Sequence, residues 1–146
     1  MKHIDPKATV RPTPEAKGYL DVLKKNGAFG RAIDAYVFAA AYALKNNAEI
    51  SKVPSRGRQD LVYIGIVDED VRLALEAGVH AVLKRNGKLE PKDSREVLEI
   101  VTQYAEAGLK LLKERWEGKT GLQIQDDIRR IITAFSRLVR YNNSNE

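Results

Sequence analysis

The residues of this chain best suited to chemistry are cations in a loop. Lys52, Arg56 and Arg58 stand in the run Ser51-Lys52-Val53-Pro54-Ser55-Arg56-Gly57-Arg58, where Pro54 and Gly57 rule out a continuing helix. An exposed Arg-Gly-Arg can set two guanidiniums against phosphate oxygens. Three such contacts would give sequence-independent affinity for duplex DNA with a salt slope of about −3. A solvated loop without a ligand accounts for the same residues, so both readings stand. Lys52, Arg56 and Arg58 are the candidate nucleic-acid-binding residues.

Other chemistries find less support. The chain has no cysteine. That removes disulfides, thiolate nucleophiles, zinc fingers and iron–sulfur clusters, and it fits a reducing cytoplasm. The two histidines, His3 and His80, form no His-x-x-x-His or Glu-x-x-His pair that would hold a metal. We read His3 as part of a flexible arm and His80 as a structural or solvent-facing residue. Asp68-Glu69-Asp70 and Asp126-Asp127 could serve acid–base or metal work, but both fall at expected helix starts, where the dipole favours negative charge. Gly-x-Ser-x-Gly, the Walker sequence and Gly-x-Gly-x-x-Gly are absent. We therefore expect a chain that is not an enzyme, with no cofactor and no metal.

The charge is unevenly distributed. Residues 1–60 hold eleven Lys/Arg against six Asp/Glu, whereas residues 61–146 hold fourteen of each, so the whole net charge of +5 lies in the first 60. Such asymmetry suits an acidic partner such as nucleic acid, and equally a solvated face. A further basic face, Arg129, Arg130, Arg137 and Arg140, lies near the C-terminus, weakened by Asp126 and Asp127.

The positioning elements read as helices. Ala35 to Leu44 carries no charge. It is too short to cross a bilayer, which needs about 20 apolar residues, and too apolar for a surface helix. It should be a central buried helix, about 31–46. Thr13-Pro14-Glu15 reads as N-cap, N1 and first turn of a helix over 14–25, stopped by Asn26-Gly27. Asp68 would cap a helix over 69–85 with Val71, Ala74, Leu75, Gly78 and Val82 inward. Pro91 would open one over 91–116, and Thr120 would cap one over 122–140. Leu61-Val62-Tyr63-Ile64 has strand character without an evident partner. Gly108, flanked by Ala105 and Ala107, offers a flat patch for the alanine block. The expectation is an all-α fold, a compact bundle of about five helices. Residues 1–13 would be a flexible N-terminal arm, 14–140 a single helical domain and 141–146 a disordered tail. No segment reads as a secretory signal or membrane span, which suggests a cytoplasmic protein.

Phe29, then Asp34-Ala35-Tyr36-Val37-Phe38-Ala39-Ala40-Ala41, a basic Gly-Arg loop, and Glu99-Ile100-Val101-Thr102-Gln103-Tyr104-Ala105-Glu106-Ala107-Gly108-Leu109 follow in order. Over about residues 28–115 this pattern resembles the small Dnd system-associated proteins found near bacterial genes for DNA phosphorothioation. The resemblance implies a helical accessory of a DNA-modification or phage-defence locus and carries over no catalytic residue. The expected function is a non-enzymatic accessory module contacting DNA, or a DNA-bound or defence protein, through the basic loop. The alternative is a homo-oligomeric helical scaffold or adaptor with no nucleic-acid contact.

Overall fold

A computed structural model describes the backbone of residues 1–144 and side chains through residue 134. The fold is all-α, with five helices among the described residues: α1 (Pro14–Lys25), α2 (Ala32–Lys45), α3 (Glu69–Arg85), α4 (Ser94–Arg115) and α5 (Gly121–Ser144). Antiparallel strands β1 (Thr9–Val10) and β2 (Val62–Tyr63) pair Thr9 with Tyr63 and Val10 with Val62. No helix among the described residues is long and apolar enough to cross a membrane.

Local chemistry sets most boundaries. The Thr13 hydroxyl accepts the Ala16 N–H at 3.1 Å, capping α1. Thr120 and Gln123 exchange bonds, Gln123 N to Thr120 Oγ1 at 3.2 Å and Thr120 N to Gln123 Oε1 at 2.9 Å, a capping box at the start of α5. Helices α1, α2 and α3 end on Asn26, Asn46 and Asn86. Pro91 does not open α4: Asp93 caps it by accepting the Glu96 N–H at 2.9 Å, leaving Pro91 buried in the preceding turn. Asp68 precedes α3 but makes no side-chain cap bond, so its help is limited to its charge.

Helices α2 and α4 form the centre. Of the uncharged run 35–44, only Ala41 is exposed. Its alanines let α4 approach so closely that a Cβ on Gly108 would collide with the Ala39 carbonyl oxygen. The patch expected at Gly108 is thus the docking point. The buried face of α3 is turned from the one expected. Leu75, Glu76, Val79, Val82 and Leu83 face inward, while Val71 and Ala74 are exposed. A charged residue at position 76 hid this face from a periodicity that counts apolar residues only.

Residues 1–13 are not a flexible arm. Ile4 is 4% exposed, Val10 and Pro12 are buried, and β1 supplies the partner that β2 lacked in sequence. The carboxylate of Glu76, buried on α3, accepts the Ile4 N–H at 2.6 Å and lies 2.8 Å from His3 Nδ1. His80 Nε2 sits 2.9 Å from the Lys2 carbonyl. Both histidines therefore tack the arm to α3. At the other end, α5 continues through residues 141–144, where a disordered tail was expected; residues 145 and 146 lie outside the described residues.

Replacing Gly108 by Leu should lower stability by about 1–3 kcal/mol, because the obstructing atom is backbone and cannot rotate away. The urea midpoint measures this, and an unchanged midpoint would show that the two helices do not meet at Ala39.

Candidate functional site

The loop after α2 is built on one arginine. Asn47, at φ 50°, turns the chain out of the helix, and Ala48 N donates to Ala43 O at 2.9 Å. Arg58 then closes the loop on itself, Nε donating to Pro54 O at 2.9 Å and Nη2 to Val53 O at 2.8 Å. The same guanidinium forks onto Glu99 of α4, with Nη2 to Oε1 at 2.7 Å and Nη1 to Oε2 at 3.0 Å. Its side chain is only 10% exposed. The Glu99 hydrogen bond is the main cause holding the Arg58 pKa above its ordinary value. The chain then pairs with the arm through Gln59 N to Pro12 O and Leu61 N to Val10 O.

This corrects the expectation that Arg58 acts beside Arg56 on a ligand. Its fork is occupied by a carboxylate and two carbonyls, so it anchors the loop. Lys52 and Arg56 are exposed and without a bonded partner among the described residues. Both line an open groove of about 970 Å³ between the loop, the start of α1 and the side of α4. Lys110 of α4, exposed and likewise without a bonded partner among the described residues, lines the same groove. Lys110 went unnoticed in the sequence because nothing local distinguishes it from any solvated lysine; only the fold brings it to the loop. Glu15 and Glu49 also line the groove.

Glu106, buried at 8% exposure, lies beneath. Thr13 Oγ1 donates to its Oε1 at 2.6 Å, Tyr36 Oη to its Oε2 at 2.8 Å, and Thr13 N to Oε2 at 3.3 Å. The Tyr36 phenol is pushed well above its ordinary pKa, first by burial, then by the charge of Glu106 and the bond to it. Thr13, Tyr36 and Glu106 thus satisfy one another, and the Thr13 hydroxyl caps α1 at the same time. Glu99 and Glu106, seven residues apart on α4, share a face and hold the loop and the α1 start respectively. That spacing was the signal in the sequence.

Asp127 is a further correction. It does not cap α5 but accepts Arg115 Nε and Trp116 Nε1 on Oδ2, each at 2.7 Å, and Arg115 Nη2 on Oδ1 at 2.9 Å. These donors, the Arg115 bond foremost, lower its pKa to about 2. Trp116 packs against Phe29 and Phe38 with ring centroids 6.3 and 6.2 Å away, so Asp127 joins α5 to the core. Asp126 pairs with Arg129 at 2.8 Å on the surface. Arg31 and Asp34 form the i,i+3 pair that their spacing suggested, at 2.8 Å. The side chains of Arg137 and Arg140 lie outside the described residues. Among the described residues no three His, Asp or Glu converge as a metal-ligand set.

Two outcomes follow from these geometries. Replacing Arg58 by Met should free the loop and speed tryptic cleavage after Lys52 and Arg56 several-fold, because hydrogen bonds to a charged group contribute about 1.5–3 kcal/mol each; unchanged cleavage would show the loop is held otherwise. Asp127 is more acidic folded than unfolded, so its stabilisation is complete above about pH 4 and lost as the pH falls towards 2. Asp127→Asn should lower stability at neutral pH and flatten the acid limb of the unfolding profile over that window, as followed by circular dichroism.

No family model, curated protein or solved structure matches the chain.

Proposed function

We propose that this chain is a non-enzymatic accessory module that holds DNA in the groove between residues 48–56 and α4. The carrying observation is the convergence there of Lys52, Arg56 and Lys110, exposed and unpaired among the described residues, around a loop whose shape Arg58 sets. Cations without intramolecular partners release counterions when they meet phosphates, and that release drives sequence-independent binding. The polar groups beneath the groove do not compete with this reading. Glu106, Tyr36 and Thr13 bond to one another, so none is poised as a free base or nucleophile. The likeness of residues 28–115 to Dnd system-associated proteins supports DNA as the ligand and a cytoplasmic modification or defence locus as the setting.

Fluorescence anisotropy on a short duplex at two salt concentrations tests the reading. Three phosphate contacts predict a slope of log K on log salt of about −2.7, with Kd of about 10⁻⁴ to 10⁻⁶ M at physiological salt. Lys52→Ala/Arg56→Ala should reduce the slope by about 2 and Lys110→Ala by about 1. Variants that bind as the wild type does, with the same slope, would sink the proposal.

A further inference from the structure

Past Ile128, the described side chains of α5 leave the core. Ile124 is buried and Ile128 packs against the core, but Ile131 does not reach it and Ile132 is 52% exposed. The helix nevertheless continues to Ser144. The residues from 128 to 144 span about 25 Å at 1.5 Å per residue. In sequence, the apolar positions keep a heptad repeat up to Leu138, with Ile128 and Phe135 at a and Ile124, Ile131 and Leu138 at d, and the polar Asn142 takes the next a.

The placement of charge says what could cover this face. After Asp127 the helix carries four arginines and no acid up to Ser144. Arg129, Arg130, Arg137 and Arg140 all fall at b, c or f, the outer positions. The positions flanking the seam, Ile132 and Val139 at e and Ala134 and Tyr141 at g, are uncharged. Two copies of so basic a helix would repel each other if any arginine flanked the seam, and none does. A partner bearing a carboxylate rim, by contrast, would find no arginine at e or g to meet it. Asn142 at an a position is the residue type that fixes register and favours two strands in parallel pairs, at some expense of stability.

We propose that residues 128–144 of α5 pair in parallel with the same segment of a second copy of this chain. The seam is short beside the roughly 1,200 Å² that a standard interface buries, so the dimer forms reversibly and depends on concentration. The two folded bodies lie at the N-terminal end of the seam and keep their grooves open, because the groove is built from α1, α2 and α4 with the loop and takes nothing from α5.

Light scattering on the full chain tests this. The mass should rise with concentration from 16.4 kDa towards twice that value. Ile131→Asp/Leu138→Asp should weaken association by roughly a hundredfold, since two apolar side chains leave the seam. Its urea midpoint should stay near that of the wild type, because Ile131 does not pack on the core and Leu138 lies two turns further along the helix. Having no cysteine of its own, the chain also permits a register test. Asn142→Cys should give a disulfide-linked dimer on mild oxidation, and Arg130→Cys should not. A monomer at every concentration, a dimer that survives the double substitution, or equal cross-linking at both positions would overturn the proposal. So would a monomer that binds phosphatidylglycerol vesicles through the same residues.

Discussion

Helices α2 and α4 meet backbone to backbone where Gly108 faces the Ala39 carbonyl, and the distance between their axes follows from the absence of any side chain there. Much else depends on that separation. Tyr36 lies one turn before Ala39, and Glu106 two residues before Gly108. At this spacing the phenol reaches the carboxylate at 2.8 Å. Two turns earlier on α4, Glu99 is brought within reach of Arg58 and so shapes the loop. A wider pair of helices would leave Glu106 with an unfilled bond in a buried place, which is costly for a carboxylate.

Three buried carboxylates repeat one device. Glu76 holds the N-terminal arm, Glu106 holds the start of α1, and Asp127 holds α5. Each lies on or beside a central helix and receives donors from a segment remote in sequence or from the adjoining helix end. Hydrophobic burial is non-directional and would let such peripheral pieces slide. A buried carboxylate is directional, because it must be met by donors at fixed places. The device gives small segments a unique seat that their few apolar residues could not supply.

The fold puts the cations of the first 60 residues to different uses. Arg11, Lys17, Arg31 and Arg58 pair with Asp60, Asp21, Asp34 and Glu99. Lys52 and Arg56 do not, and Lys110, from outside that region, joins them. The formal charge excess already subtracts the first three of these acids, but it counts Arg58, which Glu99 neutralises, and omits a residue that α4 contributes. Arg56 and Arg58, two positions apart and identical in type, end in opposite roles because only one points at a carboxylate.

Most helix positions, the caps of α1 and α5 and the alanine–glycine contact were legible in the sequence, since they follow from local propensity, capping chemistry and residue size. Thr13, Asn26, Asn46 and Thr120 act within a turn of themselves, and Gly108 announced a close approach by its lack of a side chain. The partner of the β2 strand, the seating of the arm and the buried face of α3 were not legible. Val10 and Val62 are 52 residues apart, and Glu76 is buried only because Ile4 and His3 arrive to bond it. The candidate site divides the same way. Composition marked the loop cations, but whether a guanidinium faces solvent or a carboxylate depends on which residue stands opposite, and only the packing of α4 against α2 decided that.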